Sequence, residues 1–287
     1  MNTLSNNFQK PVLITGCSSG IGYCVAHGLK QRGYRVIATA RREESVTQLG
    51  SEGFESLRLD LSDSDSIQQA FNETMQLTDG KLYALFNNGA FGLPGAVEDL
   101  SRKNLQYQFD TNVFGWLELT NLAIPVMRKQ GSGRIIQNSS VLGFVAMPFR
   151  GAYNASKYAI EGLSDTLRLE LKDTGIYVSL IEPGPIVSQF RANAVKAMQQ
   201  HIDIEHSVHR EKYLGVLARL KKQGPAAPFT LPPDAVLKRV VSILESTKPK
   251  PRYYVTFPTY LFASLKRILS HRQMDYLLAK AGGEGKR

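Results

Sequence analysis

Seven short apolar, strand-like runs recur along the chain, and stretches with helical spacing lie between them. The runs are Pro11 to Thr15, Arg35 to Thr39, Glu55 to Leu59, Leu82 to Phe86, Arg134 to Gln137, Ile176 to Ile181 and Tyr253 to Thr256. Helical periodicity begins near Ile21 and returns over Ser64 to Leu77, Arg102 to Lys129 and Ala152 to Lys172. Such alternation predicts an α/β fold, in which a seven-stranded parallel sheet carries helices on both faces. Right-handed crossovers make it doubly wound. No repeat, low-complexity block or linker divides the 287 residues, so one domain is expected over 1–287, with its core at 11–188.

Two segments read as additions to that core. Ser188 to Gln223 is helical and mixed in polarity and ends at the breaker-rich Gly224-Pro225-Ala226-Ala227-Pro228, which gives an expected lid over 188–228. Phe257 to Ala281 reads as one amphipathic helix with Leu261, Leu265, Ile268 and Leu269 on one face. The net charge of +10 concentrates here, since Lys248 to Arg287 holds nine lysines and arginines against Asp275 and Glu284. Two readings stay open. The tail is a solvated basic face whose apolar side packs on the body, or it docks on anionic lipid in the headgroup plane. Nucleic acid is not an expected partner, because no aromatic interleaving or recognised module accompanies the charge.

Cys17 and Cys24 are too few for a disulfide framework or a zinc site and fit a reducing cytosol, with paired thiols as the alternative. Met1 to Lys10 is polar, with no apolar core of a secretory signal. No run of about 18 uncharged apolar residues occurs, so no spanning helix is expected. The expected location is cytoplasmic, or peripheral to a membrane if the tail binds lipid.

Thr15-Gly16-Cys17-Ser18-Ser19-Gly20-Ile21-Gly22 joins the first strand to the first helix. Gly16 permits a tight turn, Gly20 lets backbone approach a pyrophosphate, and Gly22 allows close packing of helix on strand. The helix N-terminus offers free N–H groups and the positive dipole end. The spacing, G-x3-G-x-G, resembles the glycine motif of the short-chain dehydrogenases/reductases, a family with a Rossmann-type fold and a nicotinamide cofactor. An NAD site needs a carboxylate at the end of strand two. Here Ala40 stands there, followed by Arg41 and Arg42, and a guanidinium suits a 2′-phosphate, so NADP(H) is expected. Asp60-Leu61 resembles the family's adenine contact. Asn87-Asn88-Gly89-Ala90 resembles its Asn-Asn-Ala-Gly motif with the last two residues exchanged, which leaves room for close approach but no glycine for a left-handed final residue.

Tyr153 and Lys157 fall at i and i+4, on one helix face. A free phenol has a pKa of about 10. An ammonium one turn away, with an oxidised nicotinamide, is expected to lower it by stabilising the phenolate. Ser140, 13 residues earlier, resembles the family serine that stands beside the tyrosine. Ser139 is its rival, one residue out of register. Asn112 matches the family asparagine that holds a relay water, and Pro183, Gly184, Ile186 and Ser188 match the loop that grips the nicotinamide carboxamide. The resemblance implies that Ser140 binds the substrate oxygen, Tyr153 exchanges its proton, and Lys157 binds the ribose and tunes Tyr153. His201, His206 and His209 have charged flanks and no completing ligand, so they read as surface residues rather than a metal site.

Val141 to Arg150 and the 188–228 insertion should wall the substrate pocket with Leu142, Phe144, Met147, Phe149 and Phe190. An apolar wall implies a carbonyl or alcohol on a lipophilic body. The Val-Ile-Ala-Thr-Ala-Arg and Phe-Pro-Thr strings resemble the hydroxysteroid/retinol dehydrogenase-like branch, including bacterial NADP-dependent aldehyde reductases. The resemblance also implies a homo-oligomer, dimer or tetramer. The competing reading is a catalytically idle dinucleotide sensor or scaffold on the same fold.

Overall fold

A computed structural model describes residues 10–224 and 227–282. The polar N-terminus before Lys10, Pro225 and Ala226 of the breaker segment, and the terminal charges Glu284, Lys286 and Arg287 lie outside the described residues. Seven strands form one parallel sheet: β1 Pro11–Ile14, β2 Arg35–Ala40, β3 Glu55–Arg58, β4 Ala84–Asn87, β5 Gly133–Asn138, β6 Ile176–Glu182 and β7 Arg252–Tyr254. Their order is β3-β2-β1-β4-β5-β6-β7, which makes the doubly wound parallel sheet that the alternation predicts. Val12 pairs with Val36 on one side and Ala84 on the other, so the direction of winding reverses between β1 and β4. Ligands of such sheets bind in the crevice at that switch point, beyond the carboxyl ends of the strands.

Both faces of the sheet are buried, which is why the strands read as continuous apolar runs. Val12 and Ile14 point to one layer, with Val25, Ala26 and Leu29 of α1 (Gly20–Lys30) and Val236, Val240 and Ile243 of α9 (Asp234–Glu245). Leu13 points to the other, with Phe71 of α3 (Ser64–Leu77), Leu119 and Met127 of α5 (Gly115–Gln130) and Ile160 of α6 (Gly151–Glu170). Asp63 opens α3 by accepting hydrogen bonds from the Asp65 and Ser66 amides, at 3.1 and 3.4 Å. The remaining core helices are α2 (Glu43–Ser51) and α4 (Arg102–Phe109). At the sheet edge, Arg252 of β7 reaches Glu161 and Asp165 of α6 at 2.9 and 2.7 Å and Glu182 of β6 at 3.0 Å. A strand of three residues is thereby fastened to its neighbours.

Arg102 to Lys129 and Phe257 to Ala281 differ from their predicted form. Arg102 to Lys129 is not one helix, because a π-helical turn over Asp110–Phe114 separates α4 from α5. Ser188 to Gln223 holds two helices, α7 (Phe190–His201) and α8 (Arg210–Lys221). Phe257 to Ala281 is likewise a pair, α10 (Phe257–Ile268) and α11 (His271–Gly282), because Leu269 is extended, at ψ 146°. The four leucines and isoleucines of the predicted face then part company. Leu265 and Leu269 pack with Phe262, Met274 and Leu278 against Val141 and Val145, whereas Leu261 and Ile268 are 40% and 79% exposed. No helix among the described residues is long and apolar enough to cross a membrane.

Candidate active site

The glycine loop leaves β1 with Gly16 and Gly20 in the left-handed region, at φ +73° and +60°. A Cβ on Gly22 would stand 2.2 Å from the Gly16 carbonyl, so helix and loop meet at a separation only glycine allows. Asn88 fastens the turn to β4. Its side chain donates to the Thr15 and Gly16 carbonyls at 3.0 and 3.2 Å and accepts from Asn138 at 2.9 Å. The Thr15 hydroxyl accepts from the Asn88 and Gly89 amides, each at 2.8 Å. Neither Gly89 nor Ala90 has a positive φ, so the exchanged motif needs no left-handed residue. No side chain caps α1 at Ser19, and its first turn holds no carboxylate, which leaves the helix N-terminus to an outside acceptor. Cys17 is buried inside this loop; its amide donates to the Thr39 carbonyl and its thiol to the Ile14 carbonyl, and burial raises its pKa to about 12.

Ala40 is buried at the end of β2, and Arg41 and Arg42 beyond it are exposed. Asp60 follows β3 and turns Oδ1 onto the Ser62 amide and hydroxyl, at 3.0 and 2.7 Å. Leu61 packs against Gly89, and its carbonyl would be 1.9 Å from a Cβ on Gly115. Arg41, Arg42, Asp60 and Leu61 share the carboxyl edge of the sheet but do not line the main cavity.

That cavity, of ≈ 790 Å³, does bring the rest together: Gly16, Ser18 to Ile21, Asn88 to Ala90, Ser140, Tyr153, Lys157, Pro183, Gly184, Ile186 and Ser188 all line it. Pro183 receives the Val141 amide at 2.8 Å, Gly184 lies tight on Thr256, and Ser188 lies against Gly20. Tyr153 and Lys157 sit one turn apart on α6. Lys157 is 1% exposed, donates to the Asn138 carbonyl at 2.7 Å, and stands 4.2 Å over the Trp116 ring and 5.6 Å from that of Tyr153. Burial lowers it to about 7, with Glu161 opposing. Burial also raises Tyr153 to about 12, with the Ser140 hydroxyl opposing. The lowering expected from the lysine is therefore not delivered by the chain's own groups. An ammonium at about 7 carries only part of a charge near neutrality, and desolvation of the phenol prevails.

Ser140 Oγ accepts from the Leu142 amide at 3.1 Å and faces Tyr153. Ser139 turns instead toward Glu161. Asn112 lies on the π-helical turn and grips Phe91, accepting from its amide at 3.2 Å and donating to its carbonyl at 2.9 Å. It also donates to Ser156 at 3.2 Å, and it does not line the cavity. On the substrate side Leu142, Met147 and Phe190 line the main space, and Phe149 lines an adjoining chamber of ≈ 90 Å³. Phe149 holds a left-handed φ of 59°. Phe144, expected in the wall, packs on Tyr254 instead, with ring centroids 6.1 Å apart, because the segment turns back under α10. His201 stacks on Tyr107, His206 pairs with Asp203 and His209 with Glu98.

Asn138 and Trp116 belong to no motif in the sequence, and Arg150 and Arg219 are the charged members of segments expected to form an apolar wall. Trp116 had one usable signal, its place four residues after Asn112 on a helix. It donates to the Gly89 carbonyl at 2.7 Å and forms the surface over which Lys157 lies. The glycine cradle, the free helix end and a lysine with one of its three N–H donors committed fit a nicotinamide dinucleotide.

The family model for short chain dehydrogenase matches residues 10–199. The uncharacterized oxidoreductase YbbO of Escherichia coli K12 is 44% identical over 270 residues, 94% of each chain. Human retinol dehydrogenase 8 is 32% identical over 90% of this chain and 85% of that protein. Human 17-beta-hydroxysteroid dehydrogenase type 1 is 32% identical over 85% of this chain and 77% of that one. A Burkholderia phymatum short-chain dehydrogenase/reductase, solved in complex with NAD, shares the fold with a TM-score of 0.73 at 23% identity, covering 93% and 95% of the two chains. The match takes in the loop, the switch point and the tyrosine–lysine helix together: the chain is an oxidoreductase of the short-chain dehydrogenase/reductase family, in its hydroxysteroid/retinol dehydrogenase-like branch.

Proposed function

We propose that the protein interconverts a carbonyl and an alcohol on a lipophilic substrate with NADP(H), using Tyr153 as general acid and base. The observation that carries this reading is the meeting of Ser140, Tyr153 and Lys157 on one wall of the cavity that the glycine loop also lines. The bound nicotinamide supplies or accepts the hydride. Ser140 donates a hydrogen bond to the substrate oxygen, and Tyr153 gives that oxygen a proton in reduction or removes it in oxidation. A phenol raised to about 12 keeps its proton at neutral pH, which suits it to the reductive direction. Lys157, with two donors left, serves the nicotinamide ribose and the phenol. Asn112 acts by fixing Phe91 beside the site.

The NADP(H) preference rests on Ala40 and Arg41. With no carboxylate at the end of β2, a 2′-phosphate meets no repulsion, and the adjacent guanidinium can bind it in two parallel hydrogen bonds. The lipophilic substrate rests on the apolar wall, and relatives named for retinol and hydroxysteroids support it. Helices α7 and α8 act as the lid. NADPH absorbance followed with a panel of aldehydes and ketones tests the reading. Consumption that depends on both the carbonyl compound and Tyr153 supports it. Tight NADPH binding without turnover of any carbonyl would favour the idle sensor instead.

One further observation favours contact with a membrane. Phe229, Phe257 and Leu261 line the cavity and are 58%, 55% and 40% exposed, so its mouth has an apolar rim. Lys266 and Arg267 follow on the last turn of the same helix, α10. A lipophilic substrate partitions into bilayers, and this rim would receive it there. Flotation with anionic vesicles tests the contact, and no binding at low salt would end it.

A further inference from the structure

The apolar side of the cavity contains a charge that its chemistry does not explain. Arg150, Arg191 and Arg219 line it, and among the described residues no carboxylate does. Arg191 is committed to the carbonyls of Lys222 and Gly224. Arg219 gives one Nη to the Gly282 carbonyl at 3.3 Å. Arg150 has a fully buried Nη1 with no hydrogen-bond partner. The forces on Arg150 are burial and then the charge of Arg219; those on Arg219 are burial and then Arg191. Both push these guanidinium groups below their usual range, yet a guanidinium keeps its proton at neutral pH. They remain cations that repel one another beside leucine and phenylalanine. Leaving such a donor unmatched is destabilising, and more so for a charge. An apolar side chain would fill the place at no such cost.

Location gives the cations a use. Arg150, Arg219 and Tyr153 line the same chamber of ≈ 90 Å³, with Leu142, Phe149 and Phe190. Arg150 precedes Tyr153 by three residues, about one turn of helix. A group reaching the guanidinium and a carbonyl reaching the phenol therefore belong to one small head, and the main cavity is left for the apolar body.

We propose that Arg150 and Arg219 bind an oxyanion, a carboxylate or a phosphate, carried by the substrate a few bonds from its reacting carbonyl. The substrate class is then an anionic lipid, an oxo acid or an oxo phosphate ester, rather than a neutral aldehyde, retinoid or steroid. The oxyanion accepts parallel N–H bonds from the planar forks, replaces the missing counter-charge, and orients the carbonyl toward Ser140 and Tyr153. This assignment rests on the reading of Tyr153 as the acid of a carbonyl reductase.

Three matched compounds test it with NADPH: a long-chain 3-oxo acid, its methyl ester, and a long-chain hydroxyketone phosphate monoester. The anions should exceed the ester in kcat/KM by tenfold or more, and the better anion identifies the head. Arg150→Gln and Arg219→Gln should each shrink that anion-to-ester ratio at least tenfold, and Arg150→Lys, which keeps charge but loses the fork, should fall between. Calorimetry of the resting protein with an alkyl phosphate and a fatty acid gives a readout without turnover. Arg150-dependent binding with no reduction of any compound would uphold the anion site and overturn the reductase reading. Reduction of the ester as good as that of both anions, in a protein that binds neither amphiphile, would overturn the anion site alone. Thermal melting of each variant shows whether it folds, and Arg150→Lys decides the matter if the glutamine variants do not.

Discussion

The two halves of the cavity are built by different means. On the cofactor side, backbone meets backbone at the limit of contact, and short bonds through Thr15, Asn88 and the Asn138 amide nitrogen tie the glycine loop to β4 and β5. On the substrate side, helices α7 and α8 rest on Leu93, Ala96 and Ala152 through Met198, Tyr213 and Val216, while α10 and α11 rest on Val141 and Val145. There the contacts are apolar, and the polar groups include a guanidinium nitrogen of Arg150 with no hydrogen-bond partner. Hydrogen-bonded backbone tolerates one geometry, whereas apolar contact tolerates repacking. One half is specified for a single ligand, and the other can be retuned without disturbing it.

The sharpest way to break this contrast is to touch the group where the halves meet. Tyr153→Phe should lower kcat by roughly 10²–10⁴-fold, with NADPH affinity within about twofold; steady-state kinetics and fluorescence titration read the two effects separately. Retained turnover would place the proton source elsewhere. Next in size, Gly22→Ala puts a methyl against the Gly16 carbonyl and should cost about 2–4 kcal/mol, read by denaturant unfolding. An equal change at the exposed Phe229 rim should cost under about 0.5 kcal/mol, and similar losses at both places would erase the distinction. Arg41→Ala should cut the NADPH-over-NADH preference by tenfold or more, about 1.4 kcal/mol, in competition titrations; equal affinities in the unaltered protein would remove the basis for NADP(H).

The last effect is electrostatic and is read as a slope. Lys157 is held at about 7, against roughly 10.4 in an unfolded chain. Between those values the unfolded state binds more protons, so this group adds stability as pH rises from about 7 toward 10, by at most 1.4 kcal/mol per unit. Below pH 7 it contributes its full penalty. Lys157→Met should flatten that segment of the stability curve, and an unchanged slope would show that the lysine is better solvated than its surroundings imply.

Legibility in the sequence follows the same divide. The strands, the glycine loop and the spacing of Ser140, Tyr153 and Lys157 depend on residues close together in the chain, and each is where its pattern places it. The π-helical turn was hidden because apolar periodicity runs unbroken from Arg102 to Lys129; what forces the extra residue is contact, with Gly115 pressed on Leu61 and Asn112 drawn onto Phe91. The break before α11 was hidden by Leu265 and Leu269, whose spacing of four continues a helix that the backbone ends. Phe144 was placed in the pocket because the segment is apolar, but its neighbour is a residue of β7, far along the chain. Arg150 and Arg219 read as ordinary cations in the sequence; the fold places them on one chamber. Trp116, the single tryptophan, lay in plain view, yet only the fold shows that it supports the lysine.

Phe149, the residue before Arg150, has a conformation that its own chemistry disfavours. A bulky side chain at φ 59° stores roughly 1–3 kcal/mol of backbone strain. What holds it there comes from elsewhere: the Gly95 amide on its carbonyl at 3.0 Å, and edge-on rings of Tyr213 and His209 at 5.2 and 5.7 Å, both at the start of α8. Should α8 swing outward, the ring loses those neighbours and the backbone can relax into the ordinary region. The peptide that relaxes is the one that carries Arg150. The start of α8 thus sets the backbone on which Arg150 is carried, so the position of that guanidinium depends on how this helix is seated.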